Sequence, residues 1–227
     1  PKSVEIYHNP NNILTLPLTG IGMEELPAAA LENCQSLFVN NNILKTFPDF
    51  TQFVPNVRTL DVRENNFTLG DDPDLRKFNS NVLARIPSSV REIRMGNTFN
   101  GSITADLTTL TNLLTLNLNG HNRGGAFNYY DQDGEDPTGS CPEVANSCQN
   151  YFIYRNSFNT VPQSVKDLPD LRQINLYSNS ITDDSMQFAS SVINYINIGG
   201  NPGINIPNLS NKNSLDRFYA HYNSAAS

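Results

Sequence analysis

Positive charge is scarce in this chain. Only 15 of its 227 residues are Lys or Arg, charged residues of both signs make up 16%, and the formal net charge is −7. Nucleic-acid backbones are bound by clustered Lys and Arg that neutralise phosphates, so no nucleic-acid partner is expected. Cysteine and histidine are equally sparse, at three residues each. Cys34, Cys141 and Cys148 show no metal-binding spacing. His8, His121 and His221 are far apart and have no Ser, Cys or carboxylate partner at a known catalytic spacing. No zinc motif or phosphate-binding loop is present either. The expectation is a non-enzymatic protein with no cofactor. No stretch approaches the roughly 18 consecutive apolar residues that a membrane span needs, so none is expected in this segment.

What the chain has in excess is asparagine, 33 residues of 227. Asn is a good turn former and a poor builder of helices and strands, which suggests one turn used repeatedly. The repeat is visible on alignment. "CQSLFVNNNIL" places Cys34, Leu37, Val39, Asn42 and Leu44 at the same offsets as Val57, Leu60, Val62, Asn65 and Phe67 in "VRTLDVRENNF". "CQNYFIYRNSF" does so with Cys148, Tyr151, Ile153, Asn156 and Phe158, and "LRQINLYSNSI" with Leu171, Ile174, Leu176, Asn179 and Ile181. Weaker copies run through Ile93 and Met95 to Thr98, through Leu116 and Leu118 to His121, and through Ile196 and Ile198 to Asn201. A one-residue shift to Asn97 or Asn122 is the alternative at the two positions without Asn. Further copies open the chain at Val4, Ile6 and Asn9 and close it at Leu215, Phe218, Ala220 and Asn223.

These copies of L-x-x-L-x-L-x-x-N-x-L resemble the leucine-rich repeat family along essentially the whole chain. "GSITADLTTLTNLLTLNL" and "TVPQSVKDLPDLRQINL" resemble the extracellular, plant-type form of the repeat. "IPSSVREI" resembles the Pro-Ser-Ser lead-in of bacterial, protist and phage surface proteins, and lineage stays open. The resemblance implies an α/β-type solenoid, mainly β with an irregular or 3-10 convex side, in which a curved right-handed coil carries one parallel sheet on its concave face. A single domain spanning 1–227, of about nine coils, is expected, with 122–147 as an inserted rim loop. Each coil buries its apolar face only against its neighbours. Neither end reads as a polar cap, so the sequence is expected to be a segment of a longer protein.

The repeat has a physical rationale. Side chains alternate along a strand, so both apolar residues of L-x-L enter the core. The chain then turns and leaves backbone groups unpaired inside the coil. An inward Asn has both donor and acceptor and can serve those groups in its own and the neighbouring coil. A structural ladder is therefore expected at Asn42, Asn65, Asn156, Asn179 and Asn201. Spacings between successive slots alternate between about 33 and 23 residues along the first part of the chain, which hints at a two-coil unit.

The concave face is expected to carry the x of L-x-L and the two residues after it. That assignment exposes Asp61, Arg63 and Glu64, then Arg94, Asn117 and Asn119, then Phe152, Tyr154 and Arg155, then Asn175 and Tyr177, and finally Asn197, Tyr219 and His221. Aromatic, Arg and Asn side chains on a rigid face suit a protein or a glycan. Phe152, Tyr154, Arg155, Asn175 and Tyr177 form the expected ligand-binding group, with Tyr154 and Tyr177 as neighbours in adjacent coils. Asp61 is expected to matter little to a ligand. In the rim loop, Asp131, Asp133 and Asp136 resemble part of a calcium loop, but the twelve-residue pattern and its terminal Glu are missing, so a solvated acidic turn is favoured and no metal is expected. Cys141 and Cys148 are close enough to bond across that loop in an oxidising compartment. The alternative for Cys148 is a buried apolar filler, the role expected of Cys34.

Three functions follow from this reading. The first is a recognition or adhesion module that binds a protein or glycan, in an extracellular, cell-surface or virion-surface protein. The second is a structural spacer in a fibre, capsid-associated or surface-layer assembly, associating with neighbouring subunits. The third is the targeting portion of a larger receptor or enzyme.

Overall fold

The computed structural model describes residues 12–65, 67, 77–96, 98–99, 103–120, 158–182, 186–201 and 203–221. Each L-x-L motif makes a strand of three residues. In chain order these are β1 (Thr15–Pro17), β2 (Ser36–Phe38), β3 (Thr59–Asp61), β4 (Glu92–Arg94), β5 (Thr115–Asn117), β6 (Gln173–Asn175), β7 (Tyr195–Asn197) and β8 (Arg217–Tyr219). All eight lie in one sheet in sequence order, and every pairing is parallel. The register sets the central apolar residue of each strand beside the next, from Leu16 through Leu37, Leu60, Ile93, Leu116, Ile174 and Ile196 to Phe218. All are fully buried except Leu16 and Phe218 in the two outermost described strands. The molecule is thus a parallel solenoid with one sheet on its concave side.

The opposite side carries short helical turns, three of them capped by an Asp or Asn side chain. Helix α1 (Phe50–Phe53) begins at Asp49, whose carboxylate accepts from the Thr51 N–H. Helix α2 (Ser80–Leu83) begins at Asn79, which accepts from two N–H groups. A 3-10 turn at Leu107–Thr109 begins at Asp106, and α3 (Gln163–Lys166) follows Pro162. Such caps satisfy donors that a helix start leaves open. Beneath them Phe47 meets Phe50, Phe67 and Phe99 at centroid distances of 5.2, 5.1 and 5.6 Å. Phe78 stacks on Phe99 at 5.6 Å.

Between strand and return lies the asparagine turn. The Asn65 amide nitrogen donates to the carbonyl of Val62 in its own coil at 3.0 Å and to that of Val39 in the coil before at 2.8 Å. Its oxygen accepts from the Leu44 N–H. Asn42 repeats this with Val39 and Leu18 as acceptors and Met23 and Ile21 as donors. Asn179 does so with Leu176, Leu118 and Phe158, and Asn201 with Ile198, Leu176 and Ile181. Asn65, Asn179 and Asn201 are wholly buried. Immediately before the slot the backbone is left-handed, with φ of 68° at Gly20, 56° at Asn41, 55° at Glu64, 59° at Ser178 and 71° at Gly200. That reversal swings the next side chain inward.

Several sequence expectations are corrected. The copy that forms β1 was passed over because Ile21 stands in its Asn slot, so an alignment anchored on Asn runs from Asn9 straight to Asn42. The long first spacing therefore contains a whole coil, and the alternation of long and short coils fails with it. At the fourth coil Thr98 keeps the slot with no shift to Asn97. It is fully buried, and its single hydroxyl hydrogen is shared between the carbonyls of Gly96 and Val62, at 2.9 and 3.3 Å from the oxygen. The largest difference is that β5 and β6 bond directly to each other, so no strand from the copy at Tyr151 to Asn156 stands between them. After Gly120 the next described residue is Phe158, whose N–H meets the Asn179 side chain as Leu44 meets Asn65. Asn156, Cys141, Cys148 and Asp131 to Asp136 lie outside the described residues. Cys34 is a free, buried thiol whose ionisation burial pushes upward.

Two stability tests follow. Asn179→Leu removes one bond each from the Leu118 and Leu176 carbonyls, leaving Leu176 with Asn201, and takes the side-chain acceptor from the Phe158 N–H. It is expected to cost about 2 kcal/mol or more in urea unfolding. Asn211→Ala, at an exposed position, should cost under about 0.5 kcal/mol. At Glu64, left-handed backbone disfavours a long side chain, and burial pushes the carboxyl above its ordinary value. A carboxyl raised in the folded state loses stability as pH rises through its folded pKa. Glu64→Asn, the residue used at the matching position 41, should therefore gain about 1 kcal/mol at pH 7. The gain should shrink in unfolding curves recorded below the usual carboxylate range.

Candidate functional site: the concave face from β3 to β8

Alternation turns the two residues flanking each central apolar residue toward the concave face. The register then lays them out in rows across the sheet. The first row runs Thr59, Glu92, Thr115, Gln173, Tyr195 and Arg217, and the second Asp61, Arg94, Asn117, Asn175, Asn197 and Tyr219. Backbone bonds continue beyond the strands, from Gly120 to Tyr177, Ser178 to Gly199 and Gly200 to His221. They align a third row of Asn119, Tyr177, Gly199 and His221.

Charge gathers at β3 and β4. Asp61 is only 1% exposed, so it is no open concave contact. Its carboxylate accepts from the Arg63 guanidinium at 2.9 and 2.7 Å and from the Arg63 backbone N–H at 3.2 Å. Arg94 approaches it to 3.8 Å and holds Glu92 at 2.6 Å. The hydrogen bond to Asp61 is the main reason that Arg63 holds its proton more tightly than usual, against the opposing effect of burial. Two cations thus cover one buried carboxylate.

Next to this cluster the face dips. Thr115, Asn117 and Asn175 are short, whereas Glu92 and Arg94 on one flank and Tyr195 on the other are long. The result is an open hollow of about 200 Å³ lined by these residues with Leu116 and Gln173. The asparagines of the second row, two of them on the floor of the hollow, are each oriented by their own backbone. The side-chain oxygen of Asn117 accepts from the Asn119 N–H at 3.1 Å, that of Asn175 from the Tyr177 N–H at 3.0 Å, and that of Asn197 from the Gly199 N–H at 3.1 Å.

Aromatic rings occupy the last coils. Tyr177 and His221 stand two strands apart, where about 10 Å would separate them, yet their rings meet at 5.6 Å. Gly199 between them permits this, since a Cβ there would lie 3.1 Å from the His221 ring. Tyr195 packs against Tyr219 at 5.8 Å, and the Arg217 guanidinium sits 5.3 Å over the Tyr195 ring.

Of the expected ligand-binding group, Asn175 and Tyr177 lie on this face. Phe152, Tyr154 and Arg155 lie outside the described residues. In the sheet the row neighbours of Tyr177 are Asn119 and Gly199, because the strands beside β6 are β5 and β7. The sequence reading missed Glu92, Gln173, Tyr195 and Arg217 by counting outward positions only after the central apolar residue. Strand alternation places the residue before it outward as well. Among the described residues no three His, Cys, Asp or Glu side chains are grouped to hold a metal ion, and no helix is long and apolar enough to cross a membrane.

No model of a known protein family matches the chain, and no curated protein matches its sequence. Among solved structures it is similar to an LRR protein from Leptospira interrogans, with 16% sequence identity and a TM-score of 0.41. The match covers 100% of this chain and 66% of that one, so the chain spans just under two thirds of that protein's length. At this distance the likeness says nothing about a ligand.

The charge cluster is testable by unfolding. Asp61→Ala removes a buried acceptor from two arginines and is expected to cost about 2 kcal/mol. Removing the exposed Lys45–Glu24 pair by Lys45→Ala should cost under about 1 kcal/mol and vary more with salt.

Proposed function

We propose that the protein is a non-enzymatic recognition module that binds a protein or glycan partner on the concave face between β4 and β8. One observation carries this reading. A sheet fixed in register by the asparagine ladder presents Tyr177, Tyr195, Tyr219 and His221 in mutual contact beside an open polar hollow. Tyr219 is 41% exposed despite its bulk. Rigid aromatic groups lose little freedom on binding and supply much of the contact energy at interfaces. The resemblance of the repeats to those of surface proteins supports an extracellular, cell-surface or virion-surface setting and an adhesive role.

The test is binding to a glycan panel and then to candidate partner proteins, comparing wild type with Tyr195→Ala, Tyr219→Ala and, as a control outside the strands, the exposed Ile206→Ser. Each Tyr variant is expected to lose about 2 kcal/mol of binding with an unchanged unfolding midpoint. The control should bind as wild type does. A genuine ligand that binds both Tyr variants as tightly as wild type places the site elsewhere and favours the structural-spacer reading.

A further inference from the structure

We infer that the hollow between β4 and β7 is a subsite for one neutral hexopyranose ring. The inference rests on the recognition reading above and names the ligand chemistry of part of that face. The floor decides it. Asn117 and Asn175 each have the amide oxygen occupied by a backbone N–H two residues on. Their amide nitrogens donate to no protein group among the described residues, so both present N–H donors to the hollow. They sit on paired strands at matching register, so side chains that project in parallel carry their donors at the strand spacing of about 4.8 Å. That is the step between two hydroxyl oxygens on alternate carbons of a pyranose ring.

The rest of the lining agrees. Glu92 offers the carboxylate oxygen that Arg94 does not hold, Gln173 both donor and acceptor, and Tyr195 an aromatic wall for the C–H side of a sugar. A ring fits a volume of about 200 Å³, below the roughly 300–1,000 Å³ of sites for drug-sized ligands. An apolar side chain of a protein partner would leave the two donors unpaired, which burial penalises. An anionic sugar is disfavoured as well. The one cation lining the hollow, Arg94, is already held by Glu92 and Asp61, and the chain is net acidic.

Row neighbours suggest the variants. Asp61 stands in the same row and makes the same turn, its carboxylate accepting from the N–H two residues on. Asn117→Asp and Asn175→Asp should therefore keep shape and turn while replacing a donor with an acceptor. Methyl glucoside, galactoside and mannoside, with the methyl glycoside of sialic acid as the anionic probe, would be titrated at millimolar concentration by saturation-transfer NMR on the whole chain. At least one neutral hexoside is expected to bind wild type in preference to the sialoside. Each Asp variant should weaken it roughly ten-fold or more, with an unchanged unfolding midpoint. Binding of no neutral hexoside, preference for the sialoside, or undiminished binding by both Asp variants overturns the inference. If hexosides fail while Tyr195→Ala and Tyr219→Ala abolish binding of a partner protein, the sugar subsite falls and the recognition reading stands. If those variants leave every ligand bound as well, both fall.

Discussion

A coil that turns sharply must do something with the backbone groups it leaves pointing inward. Everything else in this molecule depends on how that is solved. Helices and sheets pair their polar groups internally, whereas the corner between strand and return has no such partner. A carboxamide answers the need because it donates twice and accepts once or more from a single compact group. Its partners lie in two coils at once, so the same side chain that closes one turn also fixes the distance and register to the next. The left-handed residue before it is the geometric condition for the amide to point inward. Thr98 shows the minimum requirement: a hydroxyl can reach both carbonyls, but it lacks the second donor hydrogen and the carboxamide oxygen.

That rigidity gives the concave rows their chemical identity. Because register never slips between described strands, a column of sequence positions becomes a straight line of side chains. Neighbouring side chains then act together. Asp61 is buried only because arginines from its own and the next coil close over it. Tyr177 and His221 touch only because the coil between them contributes a glycine. The face changes character along the stack, from paired charge through amides to aromatic rings. No coil alone contains any of these features.

Much of this was legible in the sequence. The L-x-L pairs named the inward residues, and the Asn slots at 42, 65, 179 and 201 are where the structure turns. The misses share a cause. Ile21 broke the pattern at the one position used to anchor the alignment, although Leu16 and Leu18 kept their offsets. The copy from Tyr151 to Asn156 matched the motif, yet a motif states that a segment is able to form a coil and not which strand it will pair with. Pairing is a long-range property, and here β5 pairs past that segment to β6. On the concave face, Asn175 and Tyr177 were found by offset. Tyr195 was missed by counting on one side of the central residue only, and the closeness of Tyr177 to His221 depends on Gly199, a residue with no side chain to notice.

The direct bonding of β5 to β6 frees the sheet's register from the length of the sequence between Gly120 and Phe158. Gly120 and Phe158 are both tied into the stack, Gly120 to Tyr177 and Phe158 to Asn179. Both residues that bound the sequence between them are thus held by bonds to the coil of β6. The entropy of closing such a segment rises only with the logarithm of its length. A longer or shorter sequence at this point leaves the pairing of β5 with β6, and the amide hollow that spans it, in the same register.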